Sequence, residues 1–406
     1  MLYLLLALLL LLPGCAAGTP EPPPAQEVMA PVEEPTAPEA PQEPELPPEP
    51  APPEERSDPR ADTITAILEA MTVEEKVGQL FWARYPSTNG PEFVEKWHPG
   101  GLILFGKDFK TSDGQWLTRE RFTEMVDSVQ SCADVPLLVG VDEEGGTVAR
   151  ATRNPNLFPK KRRSPQQILA QGGMETVLAD TEALSRGLLD LGINVNLAPV
   201  VDVTADKDSF IYDRTFGGDY AATADHAAQV VKTMTDCGIG SVLKHFPGYG
   251  GTADTHTGEA VDPRPLEDFR TGDLLPFKAG IDAGAGAVLV SHNRIPAMDE
   301  ALPASLSPEV HRILREELGF MGVSVTDDLD MGAVQSYVED GSAVVLAIKA
   351  GNDLIITGNC ETQIPQVLEA LASGELTEEA LDTAVSRVLG WKYDLGLLTP
   401  LEAKYD

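Results

Sequence analysis

Three observations predict an α/β fold of the (β/α)8, TIM-type barrel class, in a single domain behind a disordered Pro/Glu-rich spacer. From about Ser57 onward, short apolar or β-branched runs alternate with longer amphipathic stretches. The runs are apolar nearly throughout, as parallel strands buried on both faces must be. Eight such units fit into the roughly 340 residues available, the size of a barrel with insertions. An open doubly wound sheet is the competing arrangement of the same alternation.

The opening stretch of the chain, MLYLLLALLLLLPGCAAG, holds an apolar run too short to span a bilayer and well sized for a signal-peptide core. It ends in Leu12-Pro13-Gly14-Cys15, which resembles the lipobox of bacterial lipoproteins. That resemblance implies a signal over residues 1–15, lipidation at Cys15, and an extracytoplasmic location on the cell membrane. A cleaved, secreted form is the alternative. Two features depart from the pattern: no basic residue precedes the run, and Pro13 is unusual before the small residue.

Residues 16–58 are almost entirely Pro, Glu, Ala and Thr. They hold too little apolar surface to offset the entropy of ordering, so an extended spacer is expected there. The barrel is then expected over 59–406. The formal net charge of −34 leaves few cations for phosphate contacts and argues against a nucleic-acid partner. Beyond Cys15, the cysteines are Cys132, Cys237 and Cys360, an odd and widely spaced set with neither a disulfide framework nor zinc-site spacing.

The expected strands are VGQLFWARY after Lys76, GLILFG at Gly101, PLLVGVD at Pro136 and INVNLAPVVDV at Ile193. GSVLKHF at Gly240, GAVLVSHN at Gly286, GVSVTDD at Gly322 and DLIIT at Asp353 complete the set. Stretches such as TRERFTEMVDSVQSC and AATADHAAQVVKTMTDCGI have the helical period between them, and EEALDTAVSRVLGWKYDLGLL closes the fold.

Polar residues collect at the C-terminal ends of these strands: Asp142, Asp202, Lys244 with His245, His292 with Asn293, and Asp327 with Asp328. A barrel places those ends around one mouth, where active sites are built. A single aspartate after a strand is usually a helix cap. Five consecutive strand ends bearing charge or imidazole exceed what capping requires, and this predicts an enzyme.

Asp327 and Asp328 are adjacent, so their side chains point different ways and one can face the mouth while the other caps or orients. A carboxylate there can be a base, a metal ligand or a nucleophile toward an anomeric carbon. After the fifth strand, KHFPGYGGTADTHTGEA presents Asp254 and His256 two residues apart, on one side of an extended segment. An aspartate on one imidazole nitrogen fixes the tautomer and raises the basicity of the other, which suits proton transfer near neutral pH. Gly248, Gly250, Gly251 and Gly258 are expected to let this loop move over a substrate. The plainer reading is a glycine-rich surface loop with an incidental histidine. His245 and His256 lack an obvious third ligand for a metal, so no metal and no cofactor are expected.

The loop resembles the K-H-F-P-G-H-G…D-[ST]-H signature of glycoside hydrolase family 3, in its bacterial β-N-acetylglucosaminidase branch. LLVGVDEEGGTVARA, NLAPVVDV, YDRTFGGD, VSHNRIPAMD and SVTDDLDMGAV are similar to further motifs of that family, in the same order over about residues 60–395. The resemblance implies that Asp327 is a nucleophile forming a glycosyl-enzyme, and that His256, with Asp254 as partner, is the acid/base. It also implies that Asp142, Arg150, Arg214, Lys244 and His245 hold the sugar. His292 either touches the sugar or packs behind the site. Without the resemblance, Asp142 and Arg150 read equally well as an ion pair, Arg214 as a loop anchor and Lys244 as the partner of a buried carboxylate.

The implied substrates are N-acetylglucosamine-bearing glycans, either muropeptides or chitooligosaccharides, and no obligatory protein partner is expected. A β-glucosidase or glycoside phosphorylase of the same family, and an inactive glycan-binding lipoprotein, are the alternatives. Tyr249 and Thr147 stand where the family has His and often Arg. Those changes bear on the aglycone or peptide-bearing group attached to the sugar rather than on the catalytic groups.

Overall fold

The computed structural model describes residues 58–250, 252, 260–331, 334, 337 and 342–399. The expected lipidation site Cys15, the spacer up to residue 57, and the Asp254–His256 pair lie outside the described residues, while Asp58, expected as the spacer's last residue, caps the first helix.

Eight parallel strands form the sheet: β1 (Phe81–Arg84), β2 (Gly101–Leu104), β3 (Leu138–Val141), β4 (Val195–Asn196), β5 (Gly240–Phe246), β6 (Ala287–Val290), β7 (Val323–Thr326) and β8 (Ile355–Thr357). They lie side by side in chain order, with β8 paired to β1. A parallel bridge between Val325 and Leu354, with Thr326 N donating to Leu354 O at 3.0 Å, brings β7 to β8 and closes the ring. Closure makes this a (β/α)8 barrel and rules out the open doubly wound sheet.

The first half of the helical layer is α1 (Pro59–Ala70), α2 (Val73–Gln79), α3 (Gly90–Trp97), α4 (Arg119–Gln130), α5 (Pro165–Leu189) and α6 (Tyr220–Cys237). The second half is α7 (Leu266–Thr271), α8 (Leu274–Asp282), α9 (Pro308–Arg312), α10 (Ala343–Ala350), α11 (Cys360–Ser373) and α12 (Glu378–Asp394).

Two expected strands are shorter than their apolar runs. Thr72 and Glu75 form a reciprocal capping box that starts α2, so Val77–Gln79 are helical and β1 begins only at Phe81. In the fourth run Pro199 has no N–H to give the ladder, and the regular strand stops at Asn196.

The barrel interior is filled by Trp82, Ile103, Leu138, Leu197, Val242, Leu289, Val325 and Ile356, joined from α12 by Val388 and Trp391. Each buried side chain of this size contributes roughly 1.5–3 kcal/mol. Trp82 meets Trp391 edge to face at 6.1 Å. Trp391 fits against the N-terminal ends of β5 and β6 because glycines stand there. A Cβ on Gly286 would lie 2.0 Å from its Nε1, and one on Gly240 2.9 Å from its ring. Apolar packing thus closes the N-terminal end of the barrel, and the polar strand ends gather at the other.

Candidate active site

The mouth is organised around Glu144, two residues beyond Asp142 in the loop leaving β3. Lys244 Nζ, in β5, donates to Asp142 Oδ1 at 2.6 Å and lies 2.6 Å from Glu144 Oε1. On the far side of Glu144, Arg214 places Nη2 at 2.8 Å from Oε1 and Nε at 2.9 Å from Oε2. Arg214 comes from the long loop between β4 and α6, and its geometry with Glu144 is the bidentate fork that suits a guanidinium. Burial alone would raise the Glu144 pKa, but Arg214 and Lys244 outweigh it and hold the carboxyl well below the ordinary range. Burial likewise works against the Lys244 ammonium, and Asp142 and Glu144 overcome it, so its pKa is raised. The Glu144 carboxylate and both cations therefore stay ionised at the mouth.

His245 joins this group through Arg214, whose Nη2 lies 3.0 Å from His245 Nε2. A guanidinium nitrogen can only donate, so Nε2 accepts and the ring proton sits on Nδ1. Nδ1 then donates to buried Asp202 Oδ2 at 2.7 Å. Asp202 also accepts from the backbone N–H groups of His245 at 3.1 Å and Tyr249 at 2.8 Å. One carboxylate beyond β4 thus orients the imidazole and anchors the start of the loop after β5.

At the end of β7 the adjacent aspartates diverge as expected. Asp327 is half-buried; its N–H donates to Val290 O at 2.9 Å, and its Oδ1 accepts from Asp328 N at 2.8 Å. Asp328 is more buried and turns to Arg84 of β1, taking Nε at 2.8 Å and Nη2 as well. Burial raises the Asp328 pKa and Arg84 opposes that rise.

His292 lies underneath: Nε2 bonds Asp328 O at 3.0 Å and Nδ1 bonds Ser305 Oγ at 2.7 Å. A carbonyl only accepts, so Nε2 donates to it and Nδ1 accepts from the serine hydroxyl. Both ring nitrogens thus have partners inside the protein.

Arg150 is half-buried, and its side chain runs toward the loop after β2, where a Cβ on Gly106 would lie 3.8 Å from its Cδ. Asp142 pairs with Lys244, so the expected carboxylate partner of Lys244 is present twice, as Asp142 and Glu144.

Sequence reasoning placed Asp202 at the mouth without a role, and missed Glu144 and Arg84 as site residues. For Glu144 the signal was present, since residues two apart in an extended segment share a side. Glu143 between them points the opposite way. It accepts from Arg150 N at 2.7 Å, Thr152 N at 3.2 Å and Thr152 Oγ1 at 2.5 Å, tying down the loop.

Comparison with known proteins places the chain in a family. Residues 72–390 match the glycosyl hydrolase family 3 N-terminal domain. A β-hexosaminidase of Stenotrophomonas maltophilia is 34% identical over 301 residues, covering 72% of this chain and 85% of that protein. The β-hexosaminidase LpqI of Mycobacterium tuberculosis is 33% identical over 312 residues, covering 74% of this chain and 77% of its own length. Among solved structures, a family 3 β-N-acetylglucosaminidase from Paenibacillus superposes with a TM-score of 0.74 at 31% identity, over 81% of this chain and 63% of that one. The M. tuberculosis LpqI structure superposes at 0.71 with 30% identity, over 82% of this chain and 95% of that one. The family match runs from the cap of α2 into α12 and takes in every strand and every charged group of the mouth; the chain belongs to glycosyl hydrolase family 3 and is a glycoside hydrolase.

Proposed function

We propose that this enzyme removes terminal, non-reducing β-linked N-acetylglucosamine from muropeptides or chitooligosaccharides, with retention of configuration. The observation that carries the reading is the end of β7, where Asp327 is half-buried and bonded through Oδ1 to the N–H of Asp328. The naming of the relatives as β-hexosaminidases supports the choice of sugar.

In the first step a carboxylate oxygen of Asp327 bonds to the anomeric carbon, the bond to the leaving oxygen breaks, and His256 gives that oxygen its proton. In the second, water attacks the same carbon, His256 takes the proton of the water, and the ester to Asp327 breaks. Asp254 favours the imidazolium in the first step. His256 and Asp254 enter through their positions in the sequence motif, since they lie outside the described residues. Asp142 accepts from sugar hydroxyls while Lys244 balances its charge, and Glu144 and Arg214 hold that pair in place.

The test is steady-state hydrolysis of nitrophenyl β-N-acetylglucosaminide beside the β-glucoside, with and without inorganic phosphate. A strong preference for the N-acetyl sugar and a rate indifferent to phosphate are expected. Preference for the glucoside would overturn the sugar assignment, and a sugar 1-phosphate product would make the enzyme a phosphorylase.

We also infer that Cys15 carries lipid and that residues 16–58 hold the barrel off the outer face of the cytoplasmic membrane. A Cys15→Ala chain should then leave the membrane fraction, and its retention there would refute the anchor.

A further inference from the structure

Three side chains far apart in sequence meet at the end of the barrel opposite the mouth. Glu75 lies in the first turn of α2, His98 follows α3 and Asp134 follows α4. One ligand atom from each lies within 4.8 Å of the others, and His98 Nδ1 is 3.4 Å from Asp134 Oδ2. Glu75 and His98 are half-buried and Asp134 is exposed.

The two inner donors are held by their backbones and caps. Glu75 Oε2 accepts from Thr72 N at 2.7 Å in the capping box, which keeps the side chain beside the group. His98 sits in the left-handed region at φ 46°, its N–H donating to Val94 O at 2.9 Å and its carbonyl accepting from Gln79 Nε2 at 2.8 Å. Beside them lies a cavity of about 320 Å³ walled by Ile67, Met71, Val94 and Val135.

We propose that Glu75, His98 and Asp134 bind a divalent transition-metal ion of the zinc class, with water completing its coordination. Two carboxylates neutralise a doubly charged ion, and an imidazole favours zinc and its neighbours over magnesium or calcium, which prefer all-oxygen sets. Tetrahedral bonds of about 2.0–2.1 Å put ligand atoms about 3.3 Å apart, so the His98–Asp134 spacing already fits. Rotation of the Glu75 and exposed Asp134 carboxylates brings in the third. The ion would tie α2 to the loops entering β2 and β3, so binding stabilises the fold. A free concentration a hundred times the Kd shifts the folding equilibrium about 100-fold.

The test titrates the full chain, stripped by chelation, with zinc chloride alone and with magnesium chloride alone, following heat of binding and Tm. One bound zinc that raises Tm is expected, with affinity at least 10-fold weaker in His98→Asn, Glu75→Gln and Asp134→Asn. Asparagine tolerates the left-handed backbone and glutamine can still complete the cap, so these variants should unfold near the wild-type Tm without metal. Asp134→Asn changes an exposed side chain and reports on the site even if either of the others fails to fold. No zinc binding at millimolar concentration, equal response to magnesium, or zinc affinity unchanged in the variants would each overturn the proposal.

Discussion

Replacing Glu144 with glutamine removes the negative charge that buried Lys244 and half-buried Arg214 share. The carboxylate lies 2.6 Å from Lys244 Nζ and 2.8 and 2.9 Å from two nitrogens of Arg214, and both it and Lys244 are 2% exposed. The amide keeps one acceptor oxygen and turns a donor NH2 toward a cation. Breaking a buried pair in this way costs about 3–5 kcal/mol. Asp142 still neutralises Lys244 and Arg214 keeps His245, so the lower figure, about 3 kcal/mol, is expected.

The assay is urea unfolding of wild type and Glu144→Gln across pH. Because Arg214 and Lys244 overcome burial, the folded carboxyl titrates below its ordinary 4.5. Its stabilisation is complete above that value and is lost as pH falls through the folded pKa. The gap between the two proteins should therefore be constant near neutrality and shrink in acid. Lys244→Met combined with Glu144→Gln should cost less than the sum of the two single changes. A loss under about 1 kcal/mol at pH 7, below the range for a broken buried pair, or a gap that does not change into acid, would refute the reasoning.

Arg84→Met takes the guanidinium from a carboxyl whose pKa burial already raises, so Asp328 should titrate higher still. The acid limb of the kcat/KM profile should move to higher pH and kcat should fall roughly 10-fold, since Asp328 N holds Asp327. An unchanged limb would remove Asp328 from the site. Lys392 is buried with Nζ 2.6 Å from Gln79 Oε1, and burial pulls its pKa down from 10.5 to about 7. The unfolded chain then binds more protons between those values, so stability should rise with pH from about 7 to about 10.5. Lys392→Met should abolish that rise and stabilise the fold by roughly 2 kcal/mol at pH 6, after the cost of leaving Gln79 Oε1 without its donor. Thermal or urea unfolding over this window reads both effects, and a persistent slope in the variant would contradict the assignment.

The alternation of apolar runs was enough to read the barrel, because parallel strands buried on both faces admit few polar residues. Where runs and strands disagree, a local device decided the boundary: the Thr72–Glu75 box for β1, and the missing N–H of Pro199 for β4. Asp142, Lys244, His245 and Asp327 were legible because each ends a strand. Glu144 shares its side with Asp142, and only the structure shows that Glu143 turns inward to Arg150 N and Thr152. Asp202 was legible as a strand end, but its pairing with His245, like that of Arg84 with Asp328, joins different strands, and no spacing along the chain encodes such a partner. The same holds for Glu75, His98 and Asp134, brought together from three separate elements.

The role of Asp327 as nucleophile is tested most directly by trapping. The enzyme is incubated with a fluorinated N-acetylglucosaminyl fluoride that forms the covalent species quickly and releases it slowly, then digested and sequenced by mass spectrometry. The sugar is expected on the peptide carrying Asp327, at that residue, with both label and turnover lost in Asp327→Asn. A label on another residue, or turnover in Asp327→Asn within about 10-fold of wild type (about 1.4 kcal/mol in the barrier), would contradict the mechanism.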